Sequence, residues 1–382
     1  QEDFVNVLYG NSPTGEKLVQ DKPGTDPEVR RAGNDYTFSA PKSVSVAAAA
    51  GVEGLKEAHD RAVLAVAKQI EAHYSHIRNP GEVENTGNIV AAKFDHSLNR
   101  SAEPQMHSHL FVCNMTQAVD GRWRANEPKE IFVDQLKLGE LYRAELLSEL
   151  QKAGFQTEFT DREKLQFELK NVDKAVCDQF SSRSQAIKDQ VEAWKAAGQF
   201  QNVSDAKLKE MAALETRNFK DKSLTQEQVR ADWQQGFAAA GTTPEAVKAA
   251  IGASKGIGQG QGRGEGQDGF KTAETVVSQA LAHLTETEAV VKHSAALQTA
   301  ARISGGQHCI EELTRELNKQ AIIQGRDEKG VQHLTTPEMR ALEQRNIGTL
   351  KSVPAFKSQT SKAEVGAWLS KLERPADGSK PI

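Results

Sequence analysis

Three histidines in the N-terminal half have a spacing that chemistry could use. His107 and His109 are two residues apart at the start of an apolar run, and His96 ends an earlier β-favouring run. Residues i and i+2 of a strand point to the same face, so this pair of imidazoles projects together. If the two runs pair antiparallel, His96 meets the pair across the sheet, as the ligands of an open, catalytic metal site do. Spacing alone leaves a second interpretation, an ordinary pair of buried or surface histidines.

Two common metal motifs do not match these histidines. A metallo-β-lactamase pattern requires an acid two residues after the second histidine, where Phe111 stands, and a deaminase pattern requires HxE with a later PCxxC. The other closely spaced histidines give no third ligand. His59, His73 and His76 are therefore predicted to lie on solvated helix faces or at a helix end.

The elements that must position these side chains follow from periodicity. Apolar residues at helical spacing predict an amphipathic helix over residues 53–74 and another over 138–150. Short β-favouring runs at residues 89–94 and 110–115 predict two strands with a long connection. Alternation over 155–169 around a charged turn predicts a β-hairpin. The segments 172–250 and 271–318 read as mostly helical.

Length and glycine content predict the domain organisation. The chain has 382 residues, enough for two or three domains. Residues 252–269 contain eight glycines without apolar periodicity and are interpreted as a linker. We therefore expect one domain at 1–251 and a mostly helical region at 270–382.

Composition excludes several classes of protein. No apolar run approaches the roughly 20 residues of a membrane-spanning helix, so membrane insertion is not expected. Three widely spaced cysteines give neither a disulfide framework nor a CxxC metal site, which favours the reducing cytoplasm. The net charge of −4 means that any nucleic-acid site must be a local basic patch.

Several motifs in order along the chain resemble the MobF-type conjugative relaxases, the TrwC/TraI family of HUH endonucleases. They are DYTFSAPKSVS at 35–45, the H-x10-H-x-H pattern of 96–109, DGRWRA at 120–125 and FSSRSQAI at 180–187. The resemblance implies an α+β fold, with an antiparallel sheet palm flanked by helices. It also implies site- and strand-specific nicking and transfer of one DNA strand at a transfer origin.

The same resemblance assigns roles to individual residues. His96, His107 and His109 would be the ligands of a divalent metal (Mg, Mn, Zn or Ni), and Asp35 would be the acid that orients one of them. A metal on three neutral imidazoles would keep its full positive charge for the phosphate. Separately, four basic residues near the histidines are candidates for phosphate contacts: Lys42, Arg100, Arg122 and Arg124.

One departure from the family concerns the nucleophile. The family uses one of a cluster of N-terminal tyrosines, upstream of the segment that DYTFSAPKSVS matches. The tyrosines here are Tyr9, Tyr36, Tyr74 and Tyr142, and none matches that cluster. We expect that the N-terminal segment carrying the tyrosine has been lost from this chain.

The resemblance also bears on partners and on the region after the linker. Residues 270–382 resemble the start of a helicase-like region but end before any GxxxxGK(S/T) motif. The expected partners are single-stranded or hairpin DNA at a transfer origin, accessory DNA-processing proteins and a type IV secretion coupling protein. Two alternatives stay open: a single-stranded DNA-binding module without catalysis, and a rolling-circle replication initiator, which shares the histidines but lacks the TFSAPKS context.

Overall fold

The computed structural model describes residues 2–20, 30–216, 223–255 and 269–352. Its helices, in chain order, are α1 (Glu2–Leu8), α2 (Lys42–Ala49), α3 (Leu55–Tyr74), α4 (Lys129–Val133), α5 (Gln135–Lys152), α6 (Lys174–Gln179), α7 (Ser182–Ala196), α8 (Asp205–Glu215), α9 (Gln226–Ala239), α10 (Pro244–Ser254), α11 (Ala273–Thr285), α12 (His293–Ser304), α13 (Ile310–Gln320) and α14 (Pro337–Ser352). Within those ranges, none combines the length and apolar composition needed to cross a membrane.

The strands form short antiparallel sheets and hairpins. They are β1 (Gly33–Ser39), β2 (His76–Asn79), β3 (Glu82–Asn85), β4 (Ala91–Leu98), β5 (Pro104–Cys113), β6 (Thr116–Gln117), β7 (Trp123–Arg124), β8 (Thr157–Asp161), β9 (Gln166–Leu169), β10 (Val291–Lys292), β11 (Ile323–Arg326) and β12 (Gln332–Thr335). The helices predicted at 53–74 and 138–150 and the predicted hairpin at 155–169 are confirmed. The predicted α+β class, with helices flanking an antiparallel sheet, is confirmed as well.

A three-stranded sheet in the order β1-β5-β4 positions the histidines. Burial alternates along β5, where Met106, Ser108 and Leu110 are buried and the intervening residues are partly exposed. Alternation of this kind shows that one face of the sheet packs on the core while the other borders solvent. The histidines lie on the solvent-bordering face.

The core lies on the opposite face of the sheet. Helices α3 and α5 pack there, and their apolar stripes, including Ile70 and Leu146, are fully buried. Helix α2 packs beside β5, and Phe38 of β1 packs its ring 5.4 Å from that of Tyr142 on α5. This packing fixes the core face of the sheet and so determines which residues point the other way.

Residues after the glycine-rich segment pack on the same core. Helices α12 and α13 lie against α5, where Glu140 accepts hydrogen bonds from the Arg302 guanidinium at 2.8 and 2.9 Å. The turn between α12 and α13 approaches α5 so closely that a Cβ on Gly306 would lie 2.5 Å from Leu147. Only glycine fits this contact.

Residues 1–336 group into one compact unit and 337–382 into a second, whose described part is α14. The first residues of the predicted linker, Gly252 to Ser254, end α10, and 256–268 lie outside the described residues. The division into domains at 1–251 and 270–382 stays a prediction.

Candidate metal and DNA site

Strand register brings the three histidines together. His96 on β4 lies directly opposite His107 on β5, and His109 follows two residues along the same face. The ring centroids are 5.2 Å apart for His96 and His107, 5.3 Å for His96 and His109, and 5.2 Å for His107 and His109. The three imidazoles thus form a nearly equilateral triangle on the exposed face.

Hydrogen bonds orient two of the three rings. Nδ1 of His107 lies 2.9 Å from the carbonyl oxygen of Gln105, which can only accept, so Nδ1 carries the proton. Nδ1 of His109 lies 2.7 Å from Oδ2 of Asp35, and an ionised carboxylate again can only accept. In a neutral imidazole with the proton on Nδ1, the Nε2 lone pair is available to bind a metal. Both rings therefore present the donor atom that metal binding requires.

Asp35 reaches His109 because of the sheet register. Thr37 pairs with His109 and Ser39 with His107 across β1 and β5, so Asp35 lies two residues along the same face. This is where the sequence resemblance placed an orienting carboxylate.

The histidine triangle is not by itself a complete metal site. As the side chains stand, the described ranges contain no group of three or more His, Cys, Asp or Glu residues positioned to hold a metal ion. The donor set is suitable, because three neutral imidazoles suit the later divalent transition metals.

The histidines lie in a large open cleft of about 1070 Å³. The sheet and the β4–β5 connection form one wall, and α7 and α8 contribute to the opposite wall. Its lining residues are Thr37, Ser39, Lys42, His96, Leu98, Asn99, Arg100, Glu103, Gln105, His107, His109, Ser181, Arg183, Ser184, Ile187, Glu210, Ala213 and Leu214.

The predicted basic residues separate into two groups. Lys42 and Arg100 line the cleft. Arg122 and Arg124 lie at the β6–β7 hairpin, where Arg124 donates to both oxygens of Asp120 at 2.8 and 2.7 Å. Neither hairpin arginine is among the cleft-lining residues.

Lys42 already has a structural role. Its ammonium donates to the carbonyl oxygens of Pro104 and Phe180, each at 2.9 Å. Burial lowers its pKa. The side chain thereby joins the start of β5 to the end of α6 and keeps only one of its three N–H donors for a ligand.

Sequence reasoning did not single out the cationic side chain on the opposite wall. Arg183 of α7 lines the cleft, and its guanidinium donates to the carbonyl oxygen of Ala213 on α8 at 3.2 Å. Ser181 and Ser184 line the cleft beside it. The available signal was the motif FSSRSQAI, which contributed to the resemblance but was not assigned a site role.

Three histidines that were predicted to lie on solvated faces are buried or partly buried. His59 and His76 are each 1% exposed, and His73 stacks on His293 with ring centroids 4.3 Å apart. The prediction was wrong because charged sequence neighbours suggested solvent, while packing by elements distant in sequence covers these rings.

The tyrosines do not reach the cleft. None of the cleft-lining residues in the described ranges is a tyrosine. Tyr74 and Tyr142 are buried and hydrogen bonded to Asp134 and His59. Burial raises the pKa of Tyr36 to about 12, and Tyr9 is 45% exposed.

The three histidines thus lie together on an exposed sheet face within an open cleft. The sequence model of the TrwC relaxase family matches residues 1–240. The chain belongs to the TrwC relaxase family, whose members are DNA nicking enzymes.

Individual relatives agree with this assignment. The multifunctional conjugation protein TraI of Escherichia coli is 30% identical over 368 residues, which cover 91% of this chain and 20% of TraI. The TraI of strain K12 is 29% identical over 367 residues, with the same coverage. This chain thus spans about a fifth of the curated relatives it matches.

Solved structures of conjugative relaxase TrwC are similar as well. The copper-bound TrwC in complex with oriT DNA has a TM-score of 0.56 and 35% identity, and the match covers 64% of this chain and 82% of that one. TrwC complexed with a 27-mer DNA, comprising the recognition hairpin and the cleavage site, has a TM-score of 0.55 and 36% identity. That match covers 63% of this chain and 85% of TrwC.

Proposed function

We propose that this chain is the DNA-processing part of a conjugative relaxase, which nicks and transfers one DNA strand at a transfer origin. The observation that carries the proposal is the triangle of His96, His107 and His109 in a large open cleft. The similar TrwC structures contain oriT DNA, and one is copper-bound.

The three histidines would hold one divalent metal through their ring nitrogens. Asp35 would keep His109 in the tautomer with Nε2 unprotonated, as its 2.7 Å contact with Nδ1 allows. When bound, the metal would supply positive charge for the non-bridging oxygens of a DNA phosphate. His107 would be fixed in the same way by the Gln105 carbonyl.

The DNA strand would follow the cleft between the sheet and α7–α8. Arg100 on the β4–β5 connection and Arg183 on α7 supply positive charge on its two walls. Arginine binds phosphate through planar, bidentate hydrogen bonds, so each side chain suits a backbone phosphate. These two local charges would act despite the net charge of −4.

Salt dependence tests this path. Arg100→Ala and Arg183→Ala should each reduce the slope of log affinity against log salt by roughly 0.7, the value for one single-strand phosphate contact. Fluorescence anisotropy with a labelled single-stranded oligonucleotide measures the slope. Arg124→Ala is the matched control and should leave the slope unchanged, since Arg124 pairs with Asp120 away from the cleft. Equal slopes for all four proteins would argue against this cleft as the DNA path.

The nucleophile would be a tyrosine that is not among these 382 residues. Attack by a phenol would conserve the phosphodiester energy as a 5′-phosphotyrosyl bond. In-line attack requires the phenol opposite the leaving 3′-oxygen. Tyr36, Tyr74 and Tyr142 are partly or fully buried by the fold.

We therefore expect no covalent protein–DNA adduct when this chain is incubated with Mn²⁺ and a single-stranded origin oligonucleotide. A chain extended by a segment carrying the family's tyrosine cluster should form the adduct, and tyrosine-to-phenylalanine changes in that segment should abolish it. A denaturing gel detects the adduct. An adduct formed by the 382-residue chain itself would refute this assignment, and Tyr9→Phe would then identify the nucleophile.

The wider setting belongs to the same proposal. We propose that the chain acts in the cytoplasm, with accessory DNA-processing proteins and a type IV secretion coupling protein as partners. Residues 1–251 would be the relaxase domain, and 270–382 would begin a helicase-like region. The packing of α12 and α13 on α5 would then join these two regions.

A further inference from the structure

A network of buried and partly buried hydrogen bonds lies on the core face of the sheet, behind the histidine triangle. Nδ1 of His59 is 2.7 Å from the Tyr142 hydroxyl, and Nε2 of His59 is 2.7 Å from Oγ of Ser108. Oγ of Ser108 donates to Oδ1 of Asp95 at 2.6 Å. His59, Ser108 and Tyr142 are at most 2% exposed. The hydrogen-bond network therefore runs from the core to the edge strand β4.

The direction of every hydrogen bond in this network is fixed. The Asp95 carboxylate can only accept, so Ser108 uses its one proton there and must accept from Nε2–H of His59. Nδ1 of a neutral His59 then accepts from Tyr142. Burial lowers the pKa of His59 to about 4, which keeps the ring neutral. A hydrogen-bond network with only one allowed arrangement of its protons has one preferred geometry.

At the Asp95 end of the hydrogen-bond network, ion pairs hold the carboxylate in place. Lys56 lies 3.2 Å from Oδ2 of Asp95, and Lys93 forms an ion pair with Oδ1. Both lysines also contact Asp60 on α3, at 2.6 and 2.7 Å. These contacts join β4 to α3, the helix that carries His59.

The hydrogen-bond network restrains the stretches of backbone that carry the three histidines. Ser108 lies between His107 and His109, and Asp95 precedes His96. Asp95 and Ser108 are register partners, as are His96 and His107, and the register shifts immediately afterwards, between His96 and Leu98. The Ser108–Asp95 bond is therefore the last side-chain tie on the core face before the regular pairing ends.

We propose that His59 and Ser108 are positioning residues that hold the backbone of β4 and β5, so that the imidazoles of His96, His107 and His109 stay together on the exposed face, from which they can converge on a metal ion. This inference rests on the proposed function for its metal but not for the ring positions themselves. A side chain on the opposite face can position the imidazoles because neighbouring strand residues point to alternate faces. The hydrogen bonds of Ser108 therefore restrain the Cα atoms of His107 and His109 on either side of it.

Histidine ring spectra and metal titration together test the inference. In the metal-free protein, long-range ¹H–¹⁵N spectra of Ser108→Ala and His59→Leu should show shifted or broadened His107 and His109 ring signals. Calorimetry with Mn²⁺ should show affinity reduced on the order of 10-fold, as for other residues that orient metal ligands. His59→Gln should retain most of both properties, because its amide can donate to Ser108 and accept from Tyr142.

Tyr74→Phe is the control for lost stability alone. It also removes one buried hydrogen bond, 2.8 Å long and made to Asp134, and should leave the ring signals and the affinity unchanged. Unchanged ring signals in Ser108→Ala and His59→Leu would overturn the inference. Perturbed ring signals in a protein that binds no metal would support the positioning role and refute the proposed metal site instead.

Discussion

Replacing His107 and His109 together with alanine is expected to lower the affinity for Mn²⁺ or Ni²⁺ by roughly 1000-fold or more. Loss of a residue that merely orients a ligand costs about 10-fold to 100-fold in affinity, and removal of two ligands must exceed that. Backbone register places both imidazoles beside His96, so the double variant removes two of the three ring ligands. Isothermal titration calorimetry at pH 7.5 measures the effect.

Two further variants calibrate this measurement. His283→Ala removes an exposed histidine in the last turn of α11 and should leave the affinity unchanged. Asp35→Asn should reduce it by about 10-fold to 100-fold, because the amide no longer fixes the His109 tautomer by charge. Equal affinity in the wild type and the double variant would remove the metal site from this cleft.

Acid is expected to destabilise the fold strongly between pH 6.5 and pH 5. Burial lowers the pKa of His59 and His73 to about 4, and that of His293 to about 3, from 6.5. Below pH 6.5 the unfolded chain takes up protons that the folded chain cannot, so stability is complete above 6.5 and declines as pH falls. Each histidine contributes about 2 kcal/mol of loss by pH 5.

Urea denaturation at pH 7.5, 6.5 and 5, followed by circular dichroism, measures this loss of unfolding free energy. His293→Gln removes one titrating ring and should decrease the loss between pH 7.5 and 5 by about 2 kcal/mol. His283→Gln, on an exposed surface, should not change it. A free energy of unfolding that is constant over this range would contradict the burial of these rings.

The sequence predicts the juxtaposition of the three histidines because that geometry is local. Strand alternation alone places His107 and His109 on one face, and antiparallel pairing brings in His96. The observed register, with His96 directly opposite His107, needs no information beyond two adjacent strands and their connection. The carboxylate of Asp35 was assigned by resemblance, since its strand pairs with β5 across more than 60 residues of sequence.

Side chains that depend on distant packing were less predictable. Arg122 and Arg124 are near the histidines in sequence, but their hairpin turns them toward Asp120. Arg183 is far away in sequence, and α7 brings it to the cleft. His59 and His76 have polar neighbours that suggest solvent, although packing by other elements decides their burial. Contacts between elements distant in sequence leave no periodic signal in either one.

Pulsed electron paramagnetic resonance on the chain loaded with one equivalent of Cu²⁺ tests the three-histidine site most directly. The remote nitrogens of coordinated imidazoles give a characteristic modulation, and its depth reports how many are bound. We expect three imidazoles in the wild type and two in each of His96→Ala, His107→Ala and His109→Ala. The same number in the wild type and all three variants would show that the metal binds elsewhere, and would contradict the three-histidine site.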